Sequence, residues 1–547
     1  METQRTFLFI ILALTAMWLW LTWTEHNSPA PQSVQPAQTQ PGDSTKAEVP
    51  ELPPSLDQPG MVPQGVEQVE AATQKIRVVT DLLDVEIDAA GGDIRQVRLQ
   101  AYPVTLEKPD DKFVLLNDTP QQFFVAQSGL ISRKGDAPDH HAIYTAESNS
   151  YELGANQNEL KVPLTWVSPE GIKATKTLTF LRNSYVVAVD YKIENPTTSD
   201  WPVAMYRQLQ RGTYASPTES KMLYTYTGGV ISSKQNVYEK VAFDKMAEWK
   251  PAESYYQGGW AAMLQHYFIA AWLAGNEESN RFYTLVGNQE RYVIGMTTPE
   301  QTVAAKGTLE LGSRLFIGPK NQSLMEAAAP NLRLTVDYGI FTIISQPLFW
   351  LMTKIQALIG NWGWTILILT LLIKLLFFKL SETQYRSMAN MRRLQPKMAE
   401  LKNRYGDDRQ RMGQAIMELY KTEKVNPLAG CLPILVQIPV FISLYWVLIE
   451  SVELRHSGFI LWIRDLSTQD PYYVLPVLMG ISMFIMQKLS PAAPDPMQQK
   501  IMMSLPFVFT VFFAFFPSGL VLYWLANNVL SIVQQWYIIR KTEQTAK

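Results

Sequence analysis

Apolar and polar residues are arranged in three different ways along this chain. The first pattern is the long uncharged run. Phe7–Trp23 contains 17 residues without a charge, nearly enough at ~1.5 Å per residue to cross a hydrocarbon core of about 30 Å. Arg5 precedes it, and Trp18, Trp20 and Trp23 lie where interfacial aromatics belong, with no small-x-small cleavage site after them. An uncleaved signal anchor is expected; a cleaved signal peptide is the alternative. Similar runs dominate the chain from Gly339 onward. Ile340–Ile359, with Pro347 and Lys354, ends at the breaker cluster Gly360-Asn361-Trp362-Gly363 and predicts a helix lying along the membrane interface. Trp364–Leu380, Leu428–Ile449 and Tyr472–Gln487 predict three spans. Ile501–Ile539 carries no charge over 39 residues, about twice what one crossing needs. Pro517-Ser518-Gly519 divides it into two spans joined by a hairpin.

The second pattern is alternation. Leu83, Val85 and Ile87 alternate with polar residues before Gly91-Gly92. Thr177–Phe180 and Tyr185–Ile193 flank Arg182-Asn183-Ser184 as a hairpin would. A large β-sandwich is expected from Thr73 to Pro330. The third pattern has a period between three and four. Met388, Met391, Leu394, Met398, Leu401 and Tyr405 mark one helix face, and Met412, Ile416 and Leu419 a second. Gly406-Asp407-Asp408 supplies the turn and an N-cap between them. Its basic outer surface reads equally as a solvated face or as a docking surface for an acidic partner or the ribosome. Residues 25–72 are rich in Pro, Gln and Ser and predict a disordered linker.

Charge orients these segments. Ser381–Pro427 holds ten Lys or Arg residues, whereas Ser451–Pro471 holds only Arg455 and Arg464. The positive-inside rule puts the basic loop and both termini in the cytoplasm and the β-domain outside. The expected order is a signal-anchor span (1–24), linker (25–72), β-domain (73–330), interfacial region (331–363), second span (364–380), cytoplasmic hairpin (381–427), third span (428–449) and outer loop (450–471). The fourth span (472–487), cytoplasmic loop (488–500), fifth and sixth spans (501–516 and 520–540) and a cytoplasmic tail (541–547) complete it. The net charge of -2 gives no reason to expect nucleic acid as a ligand. Cys431 is the only cysteine, so no intramolecular disulfide can form.

Candidate chemistry lies where polar residues interrupt the apolar runs. Tyr523, Asn527, Ser531 and Gln534 recur at helical spacing on the last span, with Trp524, Asn528 and Gln535 beside them. Thr370 and Lys374 share a face of the second span, Gln437 and Tyr445 a face of the third, and Gln487 ends the fourth. Such residues serve as interhelical glue or line a water-containing cavity. Lys374 alone could also snorkel to the interface. His266, in Trp260-Ala-Ala-Met-Leu-Gln-His-Tyr-Phe, reads as a structural histidine rather than part of a carbohydrate site. No second histidine or carboxylate stands at a telling spacing to complete a catalytic set. No phosphate-binding G-x-x-x-x-G-K-[ST] pattern occurs, and neither an enzyme activity, a cofactor nor a metal is expected.

Several motifs resemble the YidC insertase family (YidC/Oxa/Alb) of Gram-negative type. They are Phe180-Leu-Arg-Asn-Ser-Tyr-Val-Val, Gly258-Gly-Trp-Ala-Ala-Met-Leu-Gln-His-Tyr-Phe, Val425-Asn-Pro-Leu-Ala-Gly-Cys-Leu-Pro, Asp470-Pro-Tyr-Tyr, Asp495-Pro-Met-Gln-Gln-Lys and Phe516-Pro-Ser-Gly-Leu-Val-Leu-Tyr. The resemblance implies a polytopic α-helical inner-membrane protein of six spans. It implies a five-helix insertase core below a periplasmic all-β supersandwich similar to sugar mutarotases. It also implies a hydrophilic groove open to cytoplasm and lipid, lined here by Lys374, Thr370, Gln437, Gln487, Tyr523, Trp524, Asn527 and Ser531. Lys374 matches the groove cation, which is arginine in most relatives, so the charge is kept and the bidentate fork lost. Tyr523 and Trp524 match an aromatic pair on which incoming helices slide. The implied partners are newly made integral membrane proteins, the Sec translocon, and the ribosome or targeting machinery at the cytoplasmic hairpin. Two other classes fit parts of the chain: a small-molecule transporter, and a membrane-anchored sugar enzyme. The hydrophobic segments show no internal repeat to support the first, and the second leaves six spans unexplained.

Overall fold

A computed structural model describes residues 74–134, 136–214, 225–287, 290–405, 408–423, 432–490 and 496–545. The expected first span, the linker and Cys431 lie outside these residues. The chain divides into two compact units. Among the described residues, one comprises residues 74–363 with Pro439–Thr468, and the other Trp364–Ile438 with residues 469–545.

The first unit is built on two sheets, of 11 and 9 strands among the described residues. Strand Leu83–Asp88 buries Leu83, Val85 and Ile87, the alternation of a sheet with one face toward a core. Strands Lys173–Leu181 and Val186–Glu194 pair antiparallel with Phe180 opposite Val187. Asn183, in the turn between them, has φ 55°, a left-handed conformation that asparagine tolerates better than most residues. In the 11-stranded sheet, Trp201–Arg211 is central, pairing antiparallel with Phe124–Ile131 and with Arg291–Thr297. In the 9-stranded sheet, the hairpin Trp260–Leu264 and Phe268–Leu273 is buried at every position. Such strands read as continuous apolar runs because both faces are covered.

Two buried titratable side chains of this unit are held by specific partners. Lys176 Nζ donates to Gly91 O (2.8 Å) and Ser128 O (3.1 Å) and lies 3.9 Å from Asp93 Oδ1. Burial lowers its pKa to about 8, against the attraction of Asp93. His266 stacks on Tyr267, ring centroids 3.8 Å apart. Burial pulls its pKa down to about 3, so the ring is neutral. Its Nε2–H donates to Ile449 O at 3.0 Å. The histidine is a structural tie between the β-domain and a helix end.

Nine helices are described. They are α1 (Gln322–Ala328), α2 (Thr342–Ile359), α3 (Trp362–Leu376), α4 (Phe378–Tyr405), α5 (Arg409–Thr422), α6 (Leu432–Glu450), α7 (Val474–Leu489), α8 (Pro496–Phe513) and α9 (Ser518–Thr545). Helix α2 runs through Pro347 and stops at Gly360, whose φ of 73° and bond from N–H to Gln356 O (2.7 Å) form a left-handed cap. Ile343, Trp350 and Leu358 stand exposed along α2. Helices α4 and α5 form a hairpin: Asp408 caps α5 through Arg411 N–H (3.1 Å), and Lys397 on α4 pairs with Glu423 at the far end of α5.

Among the described residues no single helix is long and apolar enough to cross a membrane. The pair α3 and α4, bent by 69°, reaches that length together, and Val436–Glu450, Val474–Leu489 and Gln499–Phe513 are shorter apolar helices. The sequence predicts a span over Trp364–Leu380, interrupted by Lys374. Instead α3 ends at Leu376, and α4 begins at Phe378 and continues as the first arm of the hairpin.

Candidate functional site: a polar line among apolar helices

The candidate residues after Trp364 belong to the second unit, where α9 packs on α7 and on α4, and α7 packs on α8. Helix α9 is uncharged from Ser518 to Ile539, so its polar side chains decide what its buried face offers. Ser531 is buried. Its hydroxyl donates to Asn527 O one turn back (2.7 Å) and accepts from Lys374 Nζ on α3 (2.7 Å). Lys374 itself is half-buried, and no carboxylate lies within salt-bridge distance of its ammonium among the described residues. An ammonium has three N–H donors and no acceptor. The serine contact therefore leaves donor capacity on Lys374 for a further acceptor.

Two turns toward the start of α9, Tyr523 is buried, and Trp524 lies against Phe513 with centroids 4.9 Å apart. Thr370 shares the Lys374 face of α3 but turns its hydroxyl to its own helix, at Ile366 O (2.6 Å). Gln437 on α6 donates to Ser381 on α4 at 3.4 Å, near the limit of a useful bond. Gln487 is half-buried on the last turn of α7. The structure thus joins Lys374, Ser531 and Asn527 into one hydrogen-bonded line. Gln437 is joined to Ser381 instead.

Sequence reading had not singled out two contacts on the neighbouring face of α9. Asn528 Nδ2 donates to Ser482 Oγ on α7 (3.0 Å), and Gln535 Nε2 to Leu489 O (3.1 Å). These amides are interhelical glue, while Ser531 lies on the lysine side. Gln534 is the exception. Its amide nitrogen and oxygen are both buried with no protein partner among the described residues, so its bonding capacity is left over. The stripe therefore divides: part of it holds helices together, and part supplies polar groups in apolar surroundings.

An apolar helical unit with a buried polar line at a lysine, and a separate two-sheet β-unit in the same chain, define a helical protein with an appended globular domain. Family models agree along the chain: residues 75–351 match the YidC periplasmic domain, and residues 354–545 match the 60Kd inner membrane protein. The membrane protein insertase YidC of Thioalkalivibrio sulfidiphilus is 50% identical over 562 aligned residues, covering 100% of both chains. That of Methylococcus capsulatus is 49% identical, covering 100% of this chain and 99% of the relative. Among solved structures, an active YidC insertase with its first transmembrane domain resolved aligns over 85% of this chain and 93% of its own. Its TM-score is 0.41, with 19% identity. The chain belongs to the YidC membrane protein insertase family.

Proposed function

We propose that this chain inserts newly made proteins into the inner membrane through a hydrophilic groove whose cation is Lys374. The observation that carries the reading is the bond from Lys374 to Ser531, whose hydroxyl turns back to the Asn527 backbone carbonyl, within a unit of largely apolar helices. Family membership supplies the class of activity, and the line supplies a place for it. Six spans follow from the apolar runs, and cytoplasmic termini and an external β-domain from loop charge. Thr370, Gln437, Gln487, Tyr523 and Trp524 complete the groove, and the α4–α5 hairpin recruits the ribosome or targeting machinery. The Sec translocon is a further partner in this reading.

The physical task is to move a polar tail through hydrocarbon, where its groups lose water without replacement. A hydrated groove shortens that crossing. Helix α7 has 16 residues and would extend about 24 Å, less than the usual core of about 30 Å. Helices this short favour local thinning of the bilayer, which shortens the path again. A carboxylate on the tail about 4 Å from Lys374 would gain about 4 kcal/mol at an effective dielectric of about 20. That is enough to hold a tail transiently without trapping it. The apolar segment then leaves sideways into lipid by partitioning.

The test is insertion of a client with an acidic translocated tail, scored by protease accessibility at equal membrane levels of each variant. Lys374→Arg is expected to retain insertion, Lys374→Ala to impair it, and Lys374→Glu to impair it further by repelling the tail. Lys374→Gln separates charge from hydration. Near-normal insertion by both the Ala and Glu variants overturns the groove-cation assignment.

A further inference from the structure

The segment joining α6 to α7 is a compact loop rather than a slack connection. Its backbone closes on itself: Phe459 N–H donates to Ile463 O (2.9 Å), Ile463 N–H to Ile460 O (3.2 Å) and Leu466 N–H to Ser457 O (2.9 Å). Asp465 Oδ1 accepts from His456 N–H at 3.1 Å. Leu454, Ile463 and Leu466 are buried beneath these bonds. Within the same unit the loop is fixed to the chain just before α3. Asn361 Nδ2 donates to Phe459 O (3.1 Å), and the Phe459 ring lies against Gly363 so closely that a Cβ there would collide with it.

The tip of this rigid loop is apolar. Ile460 is 44% exposed and Leu461 81%. Leu461 also has φ 56°, a left-handed conformation that is strained for a branched side chain. The fold thus accepts backbone strain while presenting a leucine outward. Arg464, three residues on, is exposed. An apolar tip beside an exposed arginine has the chemistry of a phospholipid interface: acyl carbon for the tip, phosphate for the guanidinium. The tether to Asn361 and Gly363 holds the loop where the chain enters α3, and Ile343, Trp350 and Leu358 are exposed along α2 of the same unit.

We propose that Ile460 and Leu461 form a membrane anchor, which enters the phospholipid leaflet on the β-domain side while Arg464 engages the phosphates. This rests on the reading that the chain is embedded in a bilayer. The anchor and the α2 face would then grip the leaflet at two places and fix the depth at which the unit rides.

The test uses the full chain with Cys431→Ser and a single cysteine introduced by Leu461→Cys, labelled with an environment-sensitive fluorophore. The protein is placed in bilayers of phosphatidylethanolamine and phosphatidylglycerol. Leu375→Cys, at a lipid-exposed position expected within the second span, is the control for embedding. The anchor predicts at least about two-fold quenching at position 461 by lipids carrying a nitroxide near the top of the acyl chain, with little quenching by aqueous iodide. Iodide quenching at 461, with position 375 still quenched by lipid nitroxide, overturns the anchor and leaves the membrane reading intact. Protection at 461 from both quenchers overturns it in favour of a protein contact. Loss of lipid quenching at 375 overturns the embedding on which the proposal rests.

Discussion

The ion pair Lys320–Glu450 joins the end of the last long β-strand to the last residue of α6. The ammonium and carboxylate are 2.9 Å apart, and the side chains are only 3% and 4% exposed. Lys320 Nζ also reaches Thr335 O at 3.4 Å. Lys320→Met would remove the cation and leave a buried carboxylate without its partner. Breaking a buried pair from one side costs about 3–5 kcal/mol. Melting of a domain this large shifts by about 2 °C per kcal/mol, so the expected drop is about 6–10 °C. Replacing both charges, Lys320→Met with Glu450→Leu, removes the desolvation cost along with the attraction and is expected to recover most of the loss. The assay is thermal unfolding of the full chain in detergent, followed by the β-sheet circular dichroism signal. A single variant melting within about 1 °C of the parent would refute the reasoning, because a pair this buried cannot be silent. A double variant as unstable as the sum of the two singles would refute it too, by showing that shape rather than charge balance holds the junction.

Two further outcomes follow from neighbouring contacts. Glu453 accepts from Asn321 Nδ2 at 3.1 Å. Burial raises its pKa from 4.5 to about 7, against opposing backbone hydrogen bonds from Glu453 and Gln322. Its folded pKa lies above the unfolded one, so its contribution is fully present below about pH 4.5 and is lost as pH rises through about 7, a change on the order of 3 kcal/mol. The melting temperature should therefore fall from pH 5 to 8, and Glu453→Gln should flatten that slope; an unchanged slope in the variant excludes Glu453 as its source. Gly480 on α7 leaves no room for a Cβ beside Thr510 of α8. Gly480→Ala should cost about 1–3 kcal/mol by overpacking, and Thr510→Ala in the same chain should restore most of it; an equally unstable double variant places the strain elsewhere.

What the sequence makes legible is set by how many faces of an element are covered. Where one face is open, period alone suffices: the strand through Leu83, Val85 and Ile87 and the α4–α5 hairpin stand where alternation and a three-to-four spacing put them. Where both faces are covered, the period disappears. Strand Trp201–Arg211 buries Arg207, Gln208, Gln210 and Arg211 along with its apolar residues. Arg207 is held by Glu278 and Arg211 by Leu264 O, partners distant in the chain, although Arg211 also reaches Tyr214 O three residues on. The break at Phe377 leaves no mark in the sequence for another reason. Hydropathy runs unchanged across it, because a bend between two apolar segments alters direction without altering composition.

The candidate site divides along the same boundary between local and distant information. Spacing placed Asn527, Ser531 and Gln534 on one face of α9, and composition picked out Lys374. Period cannot say which polar residue on one helix meets which on another. That needs the rotation of α3 about its axis, a property of packing. The structure supplies it by putting Lys374 Nζ 2.7 Å from Ser531 while Asn528, one residue round from Asn527, turns to Ser482. Neighbouring residues on one stripe thus have different physical roles. Removing the Asn528–Ser482 bond would test helix cohesion, at a cost near 0.6 kcal/mol for a typical interhelical bond in a membrane. Under the proposed function, removing the Lys374 charge would change the field met by a carboxylate about 4 Å away by several times that amount. A polar stripe is therefore read correctly only after each of its members is assigned a partner, and the members whose bonding capacity is left over are the ones to test for function.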